Sequence, residues 1–275
     1  MAHLHILRRR HITLRELTIE NPLLIEFRRS VRRFFGVSKH SAVNAMVLVI
    51  SCLLYGLLLL ITIANRTAMS PVAIVFLQTF LFCFLIPANL HGAIAGERER
   101  RSWDLLLASP ISNLQIVVGK MLSGLAAVGT TALLMLPPLI ISFAGDSEAS
   151  LVKVIQAQMV SIGFAIALAA ITMFISARSK RTYAAQLTTY AVLIVGLIVY
   201  WVFVEVATGG QGRQTLLFLH PFYAISAVWG YENNASSLMY NGLFHFLIFT
   251  AIAAVLLVVT VETLQIADGD EGRRR

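Results

Sequence analysis

Acidic and basic side chains interleave along Glu97-Arg98-Glu99-Arg100-Arg101-Ser102-Trp103-Asp104, a run whose formal charges cancel. Trp103, Leu106 and Leu107 follow at spacings of three and four, which lays a short apolar stripe along one side of a helix. Carboxylates at the front suit a helix N-terminus and Ser109-Pro110 stops it, so the spacing predicts a short amphipathic helix over about 97–109. Such a helix is either a surface for a partner to push or a charged loop that anchors its neighbours. Bond-making groups are lacking. No His-Glu-x-x-His pair occurs, and Gly119-Lys120 lacks the upstream Gly and the following Ser or Thr of a phosphate-binding loop. Cys52 and Cys83 fall in apolar segments without metal-ligand spacing and read as packing residues. No catalytic residue and no metal site are expected, and the chain does not read as an enzyme.

The elements that must position this run are set by composition. Of 275 residues 57% are hydrophobic and 13% charged, against about 25% charged in a soluble domain. Soluble enzyme, disordered regulator and nucleic-acid binder are poor readings of that balance, despite a net charge of +8. A bilayer core needs about 20 apolar residues per helix. Six segments qualify: Val43–Ala64, Val72–Ala95, Leu114–Ile141, Val154–Ser176, Tyr183–Val206 and Leu243–Val261. Their only charged residues are Lys120 and Glu205, each near a span end. Helices satisfy their own backbone in lipid, so the expected fold is an all-α integral membrane protein.

Sorting the 22 Lys and Arg by side places nineteen with both termini and three opposite. The positive-inside rule then makes both termini cytoplasmic. The net charge is accounted for by topology and anionic lipid, and no nucleic-acid partner is expected. Within the tail 1–42, Asn21 and Pro22 can open a helix over about 22–35. Phe27, Val31 and Phe34 fall on one arc with Leu23, Leu24 and Phe35, and Arg28, Arg29, Arg32 and Arg33 on the other, the pattern of an interfacial helix. Residues 43–264 form the membrane domain and 265–275 a cytoplasmic tail. Between the last two spans, Leu216–Trp229 is apolar but too short to cross, which suits an outer re-entrant piece. Polar groups at depth usually face a bundle or wet cavity. Gln78, Asn89, Gln156, Gln186, Glu205 and His220 are therefore the pathway candidates, with Glu205 able to meet Arg213 at the outer rim.

The run Glu97–Ser112, followed by Gly119-Lys120, resembles the signature of the ABC type-2 permeases, the membrane subunits of ABC exporters. Their usual form is Glu-Arg-Glu-x-Gly-Thr-x-Glu-x-Leu-Leu-x-Ser/Thr-Pro-Val/Ile, then Gly-Lys at the start of the third span. Glu97, Arg98, Glu99, Leu106, Leu107, Ser109, Pro110, Ile111, Gly119 and Lys120 match; Ser102 and Asp104 are conservative replacements; Arg101 stands where the family usually has Gly. Leu219-His220-Pro221-Phe222 is similar to the motif of the family's outer re-entrant hairpin.

The resemblance implies a permease subunit of an ATP-driven exporter in the plasma (bacterial inner) membrane. Glu97, Arg98, Glu99, Arg101, Trp103, Asp104, Leu106, Leu107, Ser109 and Pro110 would then form the coupling helix that docks on an ATPase. It also implies two cytosolic ATPase subunits, which would bind ATP and Mg while this chain holds no cofactor, and a second permease, identical or homologous. The residues themselves leave open an ion-coupled transporter or channel, or a non-transporting scaffold in such a complex. Sparse intramembrane charge favours an apolar or amphipathic cargo.

Overall fold

A computed structural model describes residues 53, 55–64, 70–103, 113–147, 149–209, 216–230 and 241–274, the side chains of Ala127 and of 265–274 excepted. Every regular element among them is helical. Five helices are long and apolar enough to cross a membrane, and a shorter apolar helix, α1 (Tyr55–Ala64), precedes them. The first half of the expected first span, the interfacial helix with Phe27, Arg28, Arg29, Val31, Arg32, Arg33 and Phe34, and Asp104, Leu106, Leu107, Ser109 and Pro110 lie outside the described residues.

Ser70 and Pro71 open α2 (Pro71–Leu90), with proline at a first-turn position whose N–H would have no partner anyway. It ends at Leu90 rather than at Ala95; a turn over 91–94 leads into the short α3 (Ala95–Glu99). Then come α4 (Asn113–Gly145) and α5 (Leu151–Arg178). The fifth crossing is α6 (Thr182–Ile194), a π-helical turn over Val195–Val199, and α7 (Tyr200–Thr208) in one continuous run. A 3₁₀ turn (Leu217–Leu219) and α8 (Pro221–Trp229) form the apolar piece before the last span, α9 (Gly242–Arg274). At 1.5 Å per residue α9 is about 50 Å long, more than a bilayer core of about 30 Å, so it continues beyond the membrane.

Small residues decide which helix sits in the middle. Lipid gives apolar helices no reason to exclude it, so close backbone approach supplies the packing energy. Ser161, Ala165 and Ala169, spaced by four on α5, are all fully buried. Between them, a Cβ on Gly163 would meet the Phe246 backbone of α9 at 3.0 Å. On α4, a Cβ on Gly124 would fall 2.5 Å from the Leu90 side chain. α5 packs on α9, α2, α4 and α8 and is the hub, with 67% of its most apolar stretch buried. The α6–α7 crossing is the opposite case at 6%, its apolar residues turned outward.

Candidate functional site

The three residues of the Glu-Arg-Glu triplet go to three different membrane helices. Glu97 accepts from Lys120 Nζ of α4 at 3.2 Å, with the ammonium almost covered and the carboxylate about one-fifth exposed (side-chain exposures 9% and 21%). It also accepts a short bond from the Ser102 hydroxyl. Arg98 donates to the Ala177 carbonyl in the last turn of α5, and its guanidinium lies 5.6 Å from the centre of the Trp103 ring. Trp103 is buried in the main core, which makes it an anchor for the loop. Glu99 accepts from the Thr182 backbone N–H at 3.0 Å and the Thr182 hydroxyl at 2.6 Å. These two bonds, helped by Arg181 and Arg100, hold the Glu99 carboxyl below its usual range. A helix start carries unpaired N–H groups and partial positive charge, and α6 takes its cap from this loop.

The loop is capped in return. α3 has no side-chain cap of its own; Ser176 Oγ of α5 accepts from Ile94 N at 3.0 Å and Ala95 N at 3.1 Å. Loop and bundle thus satisfy each other's exposed helix ends.

The expected single helix over about 97–109 is interrupted. α3 ends at Glu99, the chain turns at Arg100 and Arg101, and a helical residue follows only at Trp103. Ser102 N donates to Glu97 O at 3.0 Å and Arg101 N to Arg98 O at 3.1 Å, the paired bonds of a Schellman cap. Arg101 occupies the position just past that cap with φ +56°, the sole described non-glycine residue with positive φ. This backbone conformation normally belongs to glycine and costs an L-residue roughly 1–2 kcal/mol. It is also where the resembling signature carries Gly, so the turn persists although the residue type does not.

At the other end of the bundle the apolar piece is fastened through carbonyls. His220 precedes Pro221 and caps α8: Nδ1 accepts from Tyr223 N at 3.3 Å, while Nε2 donates to Leu197 O in the π-helical turn at 3.0 Å. Those partners fix one tautomer of a neutral ring. Tyr200 donates to Leu216 O at 2.6 Å, and His245 Nε2 of α9 lies 3.0 Å from Phe218 O. A π turn releases carbonyls from the regular ladder and often marks a functional position. Here one of its carbonyls accepts the hydrogen bond from His220 Nε2–H.

The pathway candidates do not converge. Gln78 is fully buried and exchanges amide bonds of 2.8 and 3.3 Å with Gln158, beside a 2.8 Å Thr79–Ser161 hydroxyl pair, which joins α2 to α5. Asn89 is exposed near the loop end and donates to Leu85 O. Gln156 and Gln186 are half-buried on α5 and α6. Glu205 accepts from Trp201 Nε1 at 3.2 Å; Arg213 lies outside the described residues. Only His220 borders a large apolar groove, of about 560 Å³, running between α2 and α6–α7 with Phe80, Phe84, Tyr190, Trp201 and Phe222 in its walls. Sequence reasoning missed Ser176, Thr182, Trp201 and His245. Thr182 carried a weak signal as the first residue after the Lys180-Arg181 loop, and Ser176 none.

The profile of a known family, described as ABC-2 family transporter protein, matches residues 63–265. No curated protein matches the chain. The matched region takes in every crossing from α2 onward, and the chain belongs to the ABC-2 family of transporter membrane proteins. It is a multi-pass membrane component of an ABC transporter, and membership implies ATPase partners.

Proposed function

We propose that the chain is the permease subunit of an ATP-driven exporter, with both termini cytoplasmic and the segment from Glu97 to Ser109 docking on the ATPase. One observation carries this: Glu97, Arg98 and Glu99 are each bonded to a different long helix or its end. A displacement applied to the loop acts on α4, α5 and α6 together, as coupling through a rigid element requires. A mere anchor would need one such tie. The groove between α2 and α6–α7 has no charged wall residue, which supports an apolar or amphipathic cargo. The outward face of α6–α7 supports a second permease packing there.

The test is the double variant Glu97→Lys with Glu99→Lys, co-expressed with the ATPase partner. Membrane insertion should be retained while ATP-driven export falls at least about tenfold, because two like charges replace the Glu97–Lys120 pair and α6 loses its cap. Export at the wild-type rate would overturn the coupling assignment.

A further inference from the structure

A second cavity, of about 330 Å³, opens beside the loop where α2, α3, α4 and the start of α6 meet. Arg100, Lys120, His91, Asn89, Ser123 and Thr182 stand in its wall, with Glu97 as the one carboxylate. Both carboxylates of the triplet are already engaged, Glu97 by Lys120 and Ser102, Glu99 by Thr182. His91 Nδ1 lies 2.7 Å from Pro87 O, a partner that can only accept, and Asn89 spends one N–H on Leu85 O at 2.7 Å. Among the charged wall residues Arg100 and Lys120 stand against Glu97, a net positive charge, and Arg100 is exposed. Gly92 keeps the wall low, since a Cβ there would press on Thr182 at 3.1 Å. The cavity is also at a defined depth: α2 ends at Leu90 and the charged loop begins, so it lies where apolar helix gives way to polar chain.

We infer that this cavity binds a phosphate group, and that an anionic phospholipid headgroup at the membrane surface is its source. The Arg100 guanidinium and an Asn89 amide supply donors for phosphate oxygens beside the positive charge of Lys120. The Lys120 ammonium also donates to Glu97, while the Ser123 and Thr182 hydroxyls are spent on Lys120 O and Glu99. Diffuse attraction of basic loops to anionic lipid differs in needing no enclosed site. This inference goes beyond the coupling reading and does not depend on it.

The test uses the full chain in nanodiscs of phosphatidylcholine, with or without phosphatidylglycerol, and native mass spectrometry of the released protein. Wild type should retain one phosphatidylglycerol per chain, and Arg100→Gln should lower that retention about fivefold or more, the factor expected for one surface cation. Arg100 is exposed, so its replacement does not disturb the fold. Arg100→Lys should keep most of the retention, and Lys180→Gln, on the same end but outside the cavity, should keep all of it. Inorganic phosphate titrated into phosphatidylcholine discs is the second arm. A rise in thermal midpoint that Arg100→Gln abolishes, without lipid retention, would keep the phosphate site and overturn its lipid source. Equal retention by wild type and Arg100→Gln would overturn the site, as would equal loss in Lys180→Gln, or no response in either arm.

Discussion

At one end of the bundle Glu97, Arg98 and Glu99 tie a loop to three helices with charged groups; at the other, His245 and Tyr200 hold a short apolar piece by its backbone carbonyls, and His220 of that piece donates to the carbonyl of Leu197 in the π turn. Both ends solve the same problem, the unpaired N–H and C=O groups left where helices stop. The solutions differ with surroundings. The loop begins where the apolar α2 ends, and there a carboxylate can pair without full desolvation. The opposite piece turns back among apolar helices, where an ion would cost several kcal/mol and uncharged donors suffice. Charge makes the first attachment sensitive to solution conditions. The second is set by shape and tautomer.

The largest expected effect breaks the charged end at its most covered pair. Lys120→Met leaves the Glu97 carboxylate without its ammonium and should cost about 2 kcal/mol, read as a fall in the unfolding midpoint. Exchanging the two as Glu97→Lys with Lys120→Glu should recover more than half of that loss. If the exchange recovers nothing, the pair is not what holds α4 to the loop.

Next, His220→Ala should destabilise the opposite end by about 1–2 kcal/mol, since it removes a cap and leaves a carbonyl of the π turn unbonded. Hydrogen exchange should quicken across 195–199 and 221–229 and stay unchanged across 95–103. Faster exchange at both ends would mean that the two attachments are not independent.

A smaller effect sharpens the contrast through pH. The folded value of Glu99 lies below its ordinary 4.5, so the bonds to Thr182 are fully present above that value and are lost as pH falls through the folded one. Exchange at the Thr182 amide should accelerate over that acid window, and Glu99→Gln should remove the step.

The smallest effect concerns Arg101. Arg101→Gly relieves the positive-φ conformation while freeing the unfolded chain, and should stay within about 1 kcal/mol of wild type. Arg101→Val, branched at Cβ and so stiffer than the arginine already strained there, should lose up to about 1 kcal/mol in the same thermal measurement.

Much of this was legible in the residues. The long spans follow from uninterrupted apolar stretches, because lipid leaves a chain little alternative to a helix of about twenty residues. The Glu-Arg-Glu run and Gly119-Lys120 form a pattern in the residues alone, and Lys120 is a charge near a span end. What the pattern lacked was direction. Nothing near Arg98 points to a carbonyl at Ala177, nor near Glu99 to Thr182, since those partners lie about 80 residues away in the chain. The polar residues show the limit more sharply. Gln78 and Asn89 look alike as uncharged amides on one helix, yet the first is locked to Gln158 and the second is exposed. Which face of a helix meets a neighbour depends on packing partners that hydropathy does not specify.

The sequence by itself determined that this chain crosses a membrane on helices, which of its loops are basic, and that an acid–base run interrupts the apolar stretches. Those properties are sums over local composition, and lipid acts on them residue by residue. Only the tertiary structure decided that α5 is the hub, that Arg101 adopts a glycine-like turn, that His220 carries its proton toward Leu197, and that the triplet divides among three helices. The Arg101 turn is closed by bonds within six residues, Ser102 N to Glu97 O and Arg101 N to Arg98 O. The His220 and triplet contacts instead depend on groups distant in the chain meeting within about 3 Å, a distance fixed by close packing of helices.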